Sequence, residues 1–232
     1  MMIPTPRRPE IDHRTLKLIV GMVALTLAFL TSAFAMAPLT SISESYWEGG
    51  ASQAIFIGFL FAIASFMLAF NGRSKTEMVM SKIAAFAGLG VAMFPCACGG
   101  HMSRTAVLHY GSASVMFLVL AFFCYAFYKR AKAKGHKEAK VRASVYVVCG
   151  VAILLSIAVL AFDGLTGNRM EARFPTLTFW GETTGLVAFG ISWLFASHVL
   201  PAVNREDERF SPLRATNPDD SQTNLPLSDT PV

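Results

Sequence analysis

The chain has 232 residues and a net charge of +5, and 53% of its residues are hydrophobic whereas only 15% are charged. A soluble domain usually carries about a quarter charged residues, so this composition excludes an ordinary soluble protein. The basic residues lie in short connections between apolar runs, and the sequence has no P-loop, no dinucleotide-binding fingerprint and no aromatic-interleaved basic patch. We therefore expect an integral membrane protein that binds membrane lipids and no nucleic acid.

Six apolar stretches approach the roughly 20 residues that a transmembrane helix needs. The third stretch is short and contains Gly88, Gly90 and Pro95, but it can cross if the bilayer thins locally or if its outer end is buried in protein. The sequence predicts an all-α integral membrane bundle of six transmembrane helices. The predicted spans are Leu18–Ala37, Ala54–Phe70, Ile83–Cys98, Ala106–Phe127, Ala143–Phe162 and Thr178–Leu200.

The distribution of Lys and Arg predicts the orientation of these spans. Seventeen of them lie in the N-terminal arm, the second and fourth connections and the C-terminal tail, whereas the other side has only Arg104, Arg169 and Arg173. Positive charge stays on the cytoplasmic side, so we expect both termini in the cytoplasm of a multi-pass inner (plasma) membrane protein. Without the third span, the basic Lys129–Arg142 connection would lie on the wrong side. That connection is expected to be a polar loop in contact with anionic headgroups.

Three parts of the chain differ in composition. Residues 1–17 form a basic cytoplasmic arm, residues 18–203 form the six-helix transmembrane domain, and residues 204–232 form a polar tail expected to be disordered. A signal peptide ending near Ala37 is a competing interpretation. The apolar run of about 20 residues is longer than that of an ordinary signal, and Pro38 should hinder cleavage.

Polar and ionisable residues collect at the predicted outer ends of the spans. They come from the first outer connection and from the helix ends of the fourth, fifth and sixth spans. Ionisable groups inside membrane helices are costly and usually face a cavity or the interior of the bundle. We therefore expect a polar ligand-binding pocket at the outer face, with the candidate residues Ser43, Glu44, His109, Ser112, Asp163 and Glu182.

Each of these residues also has a structural interpretation. Helix ends near the interface tolerate charge, and Trp47 and Trp180 are typical of an aromatic belt. Asp163 lies at a helix exit, where water is available. Glu182 and His109 lie further inside their predicted helices, so both interpretations stay open for them.

The segment Cys96-x-Cys98-x-x-His101, with His109 beyond it, supplies two sulfurs and two imidazoles that could hold zinc tetrahedrally. A single C-x-C is weaker evidence than paired C-x-x-C spacing. A disulfide between residues two apart is geometrically awkward, and two small buried cysteines at a helix end are the leading alternative. We expect no cofactor, with zinc as the alternative.

Five short motifs follow one another along the chain: Pro38 with Ser41–Tyr46, Phe94-Pro95, His109 to Ala113, Arg142 and Glu182. Their order resembles an uncharacterised group of bacterial six-span membrane proteins and, more distantly, the Frag/DRAM/Sfk family of eukaryotic six-span proteins. The resemblance covers about residues 15–200, and the Cys96–His101 segment is not part of the eukaryotic pattern. It implies a tendency toward lipid-related roles and supplies no catalytic residue set.

Three functions follow as hypotheses, and neither the ligand nor the oligomeric state can be read from the sequence. The first is binding or handling of a lipid at the outer face, with His109 and Glu182 in contact with a headgroup. The second is a membrane-embedded lipid hydrolase with His109 as base, Glu182 or Asp163 as partner and Ser112 or Ser43 as nucleophile. No G-x-S-x-G or H-E-x-x-H motif supports an enzyme. The third is a proton-coupled transporter, which the lack of internal repeats disfavours.

Overall fold

The computed structural model of the protein describes residues 12–211, and within this range the chain forms helices and no strand. The all-α fold class is confirmed. Short 3₁₀ turns lie at Ile42–Glu44, Pro201–Val203 and Glu206–Glu208. The α-helices are α1 (His13–Ala33), α2 (Ser45–Glu48), α3 (Gly50–Ala69), α4 (Lys75–Met93), α5 (Ala106–Lys134), α6 (Lys137–Leu165), α7 (Arg169–Arg173) and α8 (Leu177–Ala196).

Five of these helices, α1, α3, α4, α5 and α6, are long and apolar enough to span a membrane, as in a multi-pass membrane protein. The short third predicted span corresponds to α4 and is one of the five. Helix α8 corresponds to the sixth predicted span and is as long as α3, with 20 residues each, but it is not among the five. Its first turns contain Glu182, Thr183 and Thr184, which lower its apolar character.

Helix α4 begins and ends earlier than the predicted span Ile83–Cys98 because of two local signals. The Ser74 side chain accepts a hydrogen bond from the Glu77 backbone N–H at 3.2 Å and caps the N-terminus of the helix. At the other end, Phe94 has extended dihedrals (φ −103°, ψ 120°) because the residue before a proline, here Pro95, avoids the helical region. The helix therefore includes polar residues at its start and ends before the two cysteines.

The basic Lys129–Arg142 stretch is helical apart from Gly135 and His136, so the expected polar loop is wrong. Lys, Arg and Ala are strong helix formers, and α5 and α6 therefore continue past their apolar parts to 29 residues each. Gly135 ends α5 in the left-handed conformation (φ 74°), and the His136 side chain caps α6 by accepting from the Ala139 backbone N–H at 3.2 Å. Two helices thus meet at a two-residue turn.

The six long helices form a closed ring in chain order. Each packs against its neighbour in the sequence, and α8 returns to pack against α1, while α5 also contacts α8 across the ring. Helix connections alternate between two ends. Residues 12–13, 70–74, 135–136 and 197–211 form the basic end, and residues 34–49, 94–105 and 166–176, with the first turns of α5 and α8, form the Glu182 end.

Aromatic packing around Trp193 fills the centre of the ring near the basic end. Trp193 is fully buried, and its ring lies 5.2–5.9 Å, centroid to centroid, from the rings of Phe70, Phe123, Phe127 and Phe189. Rings at these distances and tilted angles attract each other beyond their burial. The core therefore joins α3, α5 and α8 in one cluster.

Glycines permit the contact that closes the ring between α1 and α8. A Cβ on Gly21 would lie 3.0 Å from the Gly190 carbonyl oxygen, and one on Gly190 would lie 2.9 Å from the Gly21 carbonyl oxygen. Small residues facing each other in this way let two membrane helices approach to backbone contact.

Candidate functional site

The carboxylate of Glu182, in the first turns of α8, binds the connection that follows α1. Its Oε2 accepts hydrogen bonds from the Ser41 hydroxyl at 2.8 Å and from the Ile42 backbone N–H at 2.6 Å, and its Oε1 accepts from the Ser43 hydroxyl at 2.9 Å. Hydrogen bonds to a charged acceptor are short and strong. Glu182 and Ser43, two of the predicted site residues, are therefore in direct contact.

Glu44 does not contact Glu182 but closes its own turn. Its Oε2 accepts from the Thr40 backbone N–H and from the Thr40 hydroxyl, both at 2.7 Å. Gly99 packs against this side chain in a left-handed conformation (φ +59°), and a Cβ there would lie 2.1 Å from Glu44 Oε1. Glu44 therefore lies where the connection after α1 contacts the α4–α5 connection.

His109 and Ser112 are three residues apart in α5, and both face α4. His109 is 1% exposed, and its Nδ1 lies 2.7 Å from the carbonyl oxygen of Phe94. Because a carbonyl only accepts, His109 donates from Nδ1 and keeps Nε2 as the acceptor. Ser112 packs one turn further along against Gly90, where a Cβ would lie 2.2 Å from the Ser112 hydroxyl oxygen. The hydrogen bond of His109 therefore holds the start of α5 against the end of α4.

Asp163 lies at the end of α6 and is 3% exposed. Its Oδ1 accepts from the Met170 backbone N–H at 2.7 Å, and its Oδ2 accepts from the Glu171 backbone N–H at 3.0 Å. These bonds hold the short α7 against the end of α6. Within residues 12–211, no hydrogen bond joins Asp163 to Glu182 or to His109. The predicted residues thus fall into separate groups at one end of the ring.

The four residues of the zinc hypothesis lie in different surroundings. Cys96 and Cys98 lie in the connection between α4 and α5, with their sulfur atoms turned toward each other. The His101 ring stacks on Trp47 at 4.7 Å, and His109 is bonded to the end of α4. Over the described range, no three His, Cys, Asp or Glu side chains are grouped to hold a metal ion. The zinc hypothesis gains no support from this arrangement.

Two hydroxyl groups that the sequence did not single out lie next to the Glu182–Ser43 contact in the chain. The buried hydroxyl oxygens of Ser45 and Thr183 have no hydrogen-bond partner among the described residues. Buried polar atoms in proteins are nearly always hydrogen bonded, so a ligand or water has two donors available here. In the sequence, only the closely spaced serines of Ser41–Ser45 and the Thr183-Thr184 pair could have indicated these two hydroxyl groups.

Exposed apolar side chains lie at the same end of the ring as this polar cluster. Leu165 and Val107, at the ends of α6 and α5, are 89% and 80% exposed, and Phe174 and Trp180 are also exposed. Apolar and aromatic side chains at helix ends are typical of the membrane–water interface, as predicted for Trp180. The Glu182 end thus offers polar atoms beside a surface suited to acyl chains.

Comparison of the chain with protein-family models, with curated proteins and with solved structures finds no match. The resemblance to the bacterial six-span group and to the Frag/DRAM/Sfk family therefore stays a prediction, and the function has to be inferred from the residues themselves.

Proposed function

We propose that the protein is a six-span protein of the inner membrane, with both termini cytoplasmic, that binds a membrane lipid at the Glu182 end. The sixth span is α8, because it occupies the place in the ring between α6 and α1 and matches α3 in length. An even number of crossings also keeps the Lys- and Arg-rich connections together on the cytoplasmic side.

The unpartnered hydroxyls of Ser45 and Thr183 are the observation that carries the lipid-binding proposal. Each can donate to a phosphate or ester oxygen of a headgroup, and the exposed apolar side chains at the same end of the ring suit the acyl chains. Water alone would satisfy the two hydroxyls without explaining those exposed apolar side chains.

The charge of this end favours a headgroup with a positive group. Glu44 and Glu182 accept hydrogen bonds from hydroxyls and backbone amides, and Glu48 accepts from the Met36 backbone N–H at 2.9 Å. None of these three carboxylates forms a salt bridge within residues 12–211. An amine-bearing headgroup such as phosphatidylethanolamine complements this negative charge better than an anionic one.

The contacts of His109 favour binding over hydrolysis. A general base must lie within hydrogen-bond reach of the nucleophile that it activates. In the described part of the chain, His109 is bonded to Phe94 rather than to Ser43 or Ser112. Ser43 instead donates its hydroxyl hydrogen to Glu182.

Native mass spectrometry of the full-length protein in mild detergent tests the proposal. The protein is mixed with equal amounts of phosphatidylethanolamine and phosphatidylglycerol, and wild type is compared with Ser45→Ala and Thr183→Val. We expect a retained phosphatidylethanolamine in the wild type and a loss of about threefold to tenfold in each variant, the effect of one lost hydrogen bond.

The matched control is Ser156→Ala in α6, because the Ser156 hydroxyl donates to Ala152 of its own helix at 2.9 Å. This control should retain lipid at the wild-type level. A bare polypeptide mass in the wild type, or equal retention in all variants, would contradict lipid binding at the Glu182 end.

A further inference from the structure

The basic end contains a half-open cavity of about 40 Å³, which is room for a few water molecules or for the oxygens of a small anion. Its walls come from α1, α5, α6, the α3–α4 connection and the segment after α8. The basic side chains that line it are Lys17, Arg73, Arg130, Lys134, Arg142 and His198.

Carboxylates neutralise only part of this positive charge. Arg130 donates from Nη1 to both carboxylate oxygens of Glu77, at 2.6 and 2.8 Å. Glu208 accepts from Lys134, and from Arg142 Nη2 at 2.8 Å. Among the described residues, five cationic side chains line the cavity, and these two carboxylates are the ones paired with them.

Among the Lys and Arg side chains that line the cavity, Lys17 and Arg73 are the two that form no salt bridge in the described range. Lys17 Nζ lies over the rings of Phe70 and Phe127, 5.7 and 5.5 Å from their centroids. Such contacts stabilise a cation without neutralising its charge. Arg73 is exposed, and its guanidinium has no hydrogen-bond partner within residues 12–211. Both side chains are therefore available to an anion.

The pKa of His198 also reflects the positive charge around the cavity. Burial, and after it the positive charge of Arg142, lower the pKa of His198 to about 4, so its imidazole is neutral at neutral pH. Its Nδ1 lies 2.7 Å from Asn204 Oδ1, which places it in the segment that covers the cavity.

We propose that this cavity binds an oxyanion of the phosphate type, presented either by an anionic phospholipid headgroup or as free phosphate. Guanidinium groups bind phosphate oxygens with paired hydrogen bonds, and Arg73 has its donors free. The cavity lies at the end of the helices, where headgroup phosphates lie, and its size suits a phosphate group rather than a whole lipid. The site is distinct from the lipid site proposed at the Glu182 end.

The test uses the full-length protein in mild detergent and two readouts. Native mass spectrometry compares adducts of phosphatidic acid with adducts of phosphatidylcholine. Thermal unfolding compares inorganic phosphate with chloride at matched ionic strength. The variants are Arg73→Gln and Lys17→Met, and Lys17→Met keeps the contact with the aromatic rings. The matched control is Lys129→Gln, an exposed residue of α5 outside the cavity that loses the same charge.

A lipid ligand predicts selective phosphatidic acid adducts that fall about tenfold in Arg73→Gln and Lys17→Met, the effect of losing a charged hydrogen bond, and persist in Lys129→Gln. A free phosphate ligand predicts a rise in melting temperature with phosphate, without selective adducts and with the same order of variants. The proposal is overturned if neither anion binds, or if the three variants retain or lose binding equally, because attraction would then be diffuse.

Discussion

At the Glu182 end, carboxylates accept hydrogen bonds from hydroxyl and backbone N–H groups. At the basic end, Glu77 and Glu208 accept hydrogen bonds from Arg and Lys side chains. Glu182 accepts from Ser41, Ile42 and Ser43, while Glu77 and Glu208 accept from cations. Uncharged donors satisfy a carboxylate without neutralising it, so the first end keeps its negative charge. At the second end the cations outnumber their partners, so that end stays positive. One ring of helices thus presents opposite charge to the two membrane surfaces.

Replacing Arg142 should have the largest effect, because one side chain joins α6 to the segment after α8. Arg142 is 1% exposed and donates to the Val203 carbonyl at 2.7 Å, to Asn204 Oδ1 at 2.6 Å and to Glu208. Arg142→Met should lower the free energy of unfolding by about 3–5 kcal/mol, since it leaves buried partners unpaired. Thermal unfolding in detergent measures this, with the exposed Arg205→Ala as control. Equal melting temperatures for the two variants would contradict the assignment.

Replacing Glu182 tests whether charge or hydrogen bonding matters at the other end. Glu182→Ala removes the acceptor for the Ser41 and Ser43 hydroxyls and for the Ile42 backbone N–H. It should cost about 1–3 kcal/mol for the donors left unsatisfied. Glu182→Gln keeps the shape and one acceptor oxygen, so it should cost less. If both variants unfold at the same temperature, the contact is electrostatic and the contrast between the two ends fails.

Acid should loosen the basic end in two steps. The pKa of His198 is lowered to about 4 by burial and by Arg142, so its contribution to stability is present above 6.5, the ordinary value, and is lost as the pH falls from 6.5 to 4. Burial raises the pKa of Glu208, but hydrogen bonds from Lys134 and Arg142 outweigh it and hold the pKa at about 2. The stability from Glu208 is therefore present above 4.5 and is lost between 4.5 and 2.

Hydrogen exchange of residues 197–211 at pH 7, 5 and 3 measures both steps. His198→Gln should remove the first step and leave the second. Protection from exchange, calculated against the intrinsic amide exchange rate at each pH, that stays constant in this segment would show that neither group controls the basic end.

Gly100→Ala should have the smallest effect, and its difference from Gly99→Ala isolates the contact with Glu44. Gly99 and Gly100 both have positive φ, +59° and +78°, but only a Cβ on Gly99 meets Glu44, whereas a Cβ on Gly100 has no atom within 4 Å. Gly100→Ala should therefore cost only the backbone strain of about 1–2 kcal/mol, and Gly99→Ala should cost more. Equal melting temperatures for the two variants would show that Glu44 moves aside.

The sequence predicts the helices well because hydropathy and charge are local signals. For α4, Ser74 and Pro95 indicate where the helix begins and ends more accurately than the apolar pattern does. The order of helices around the ring could not be predicted, since no motif encodes which apolar faces meet.

The candidate site is predicted less completely than the fold. Ser43 and Glu182 do meet, but Glu44, His109 and Asp163 each bond to nearby backbone groups, and those partners depend on how the connections turn. The basic cavity was missed because Lys and Arg were interpreted as signals of orientation and, between residues 129 and 142, as a loop in contact with anionic headgroups. Their convergence on one cavity depends on the closed ring.

The closure of the ring by α1 and α8 has a consequence for biogenesis. As the chain leaves the ribosome, each new helix finds its partner in the helix just before it, so most of the ring assembles through neighbours in the sequence. One face of α1, however, has no partner until α8 is synthesised, because Gly21 packs against Gly190 of α8. A nascent chain halted before α8 therefore exposes a small-residue groove on α1, which is a surface that membrane chaperones or quality-control proteases can recognise.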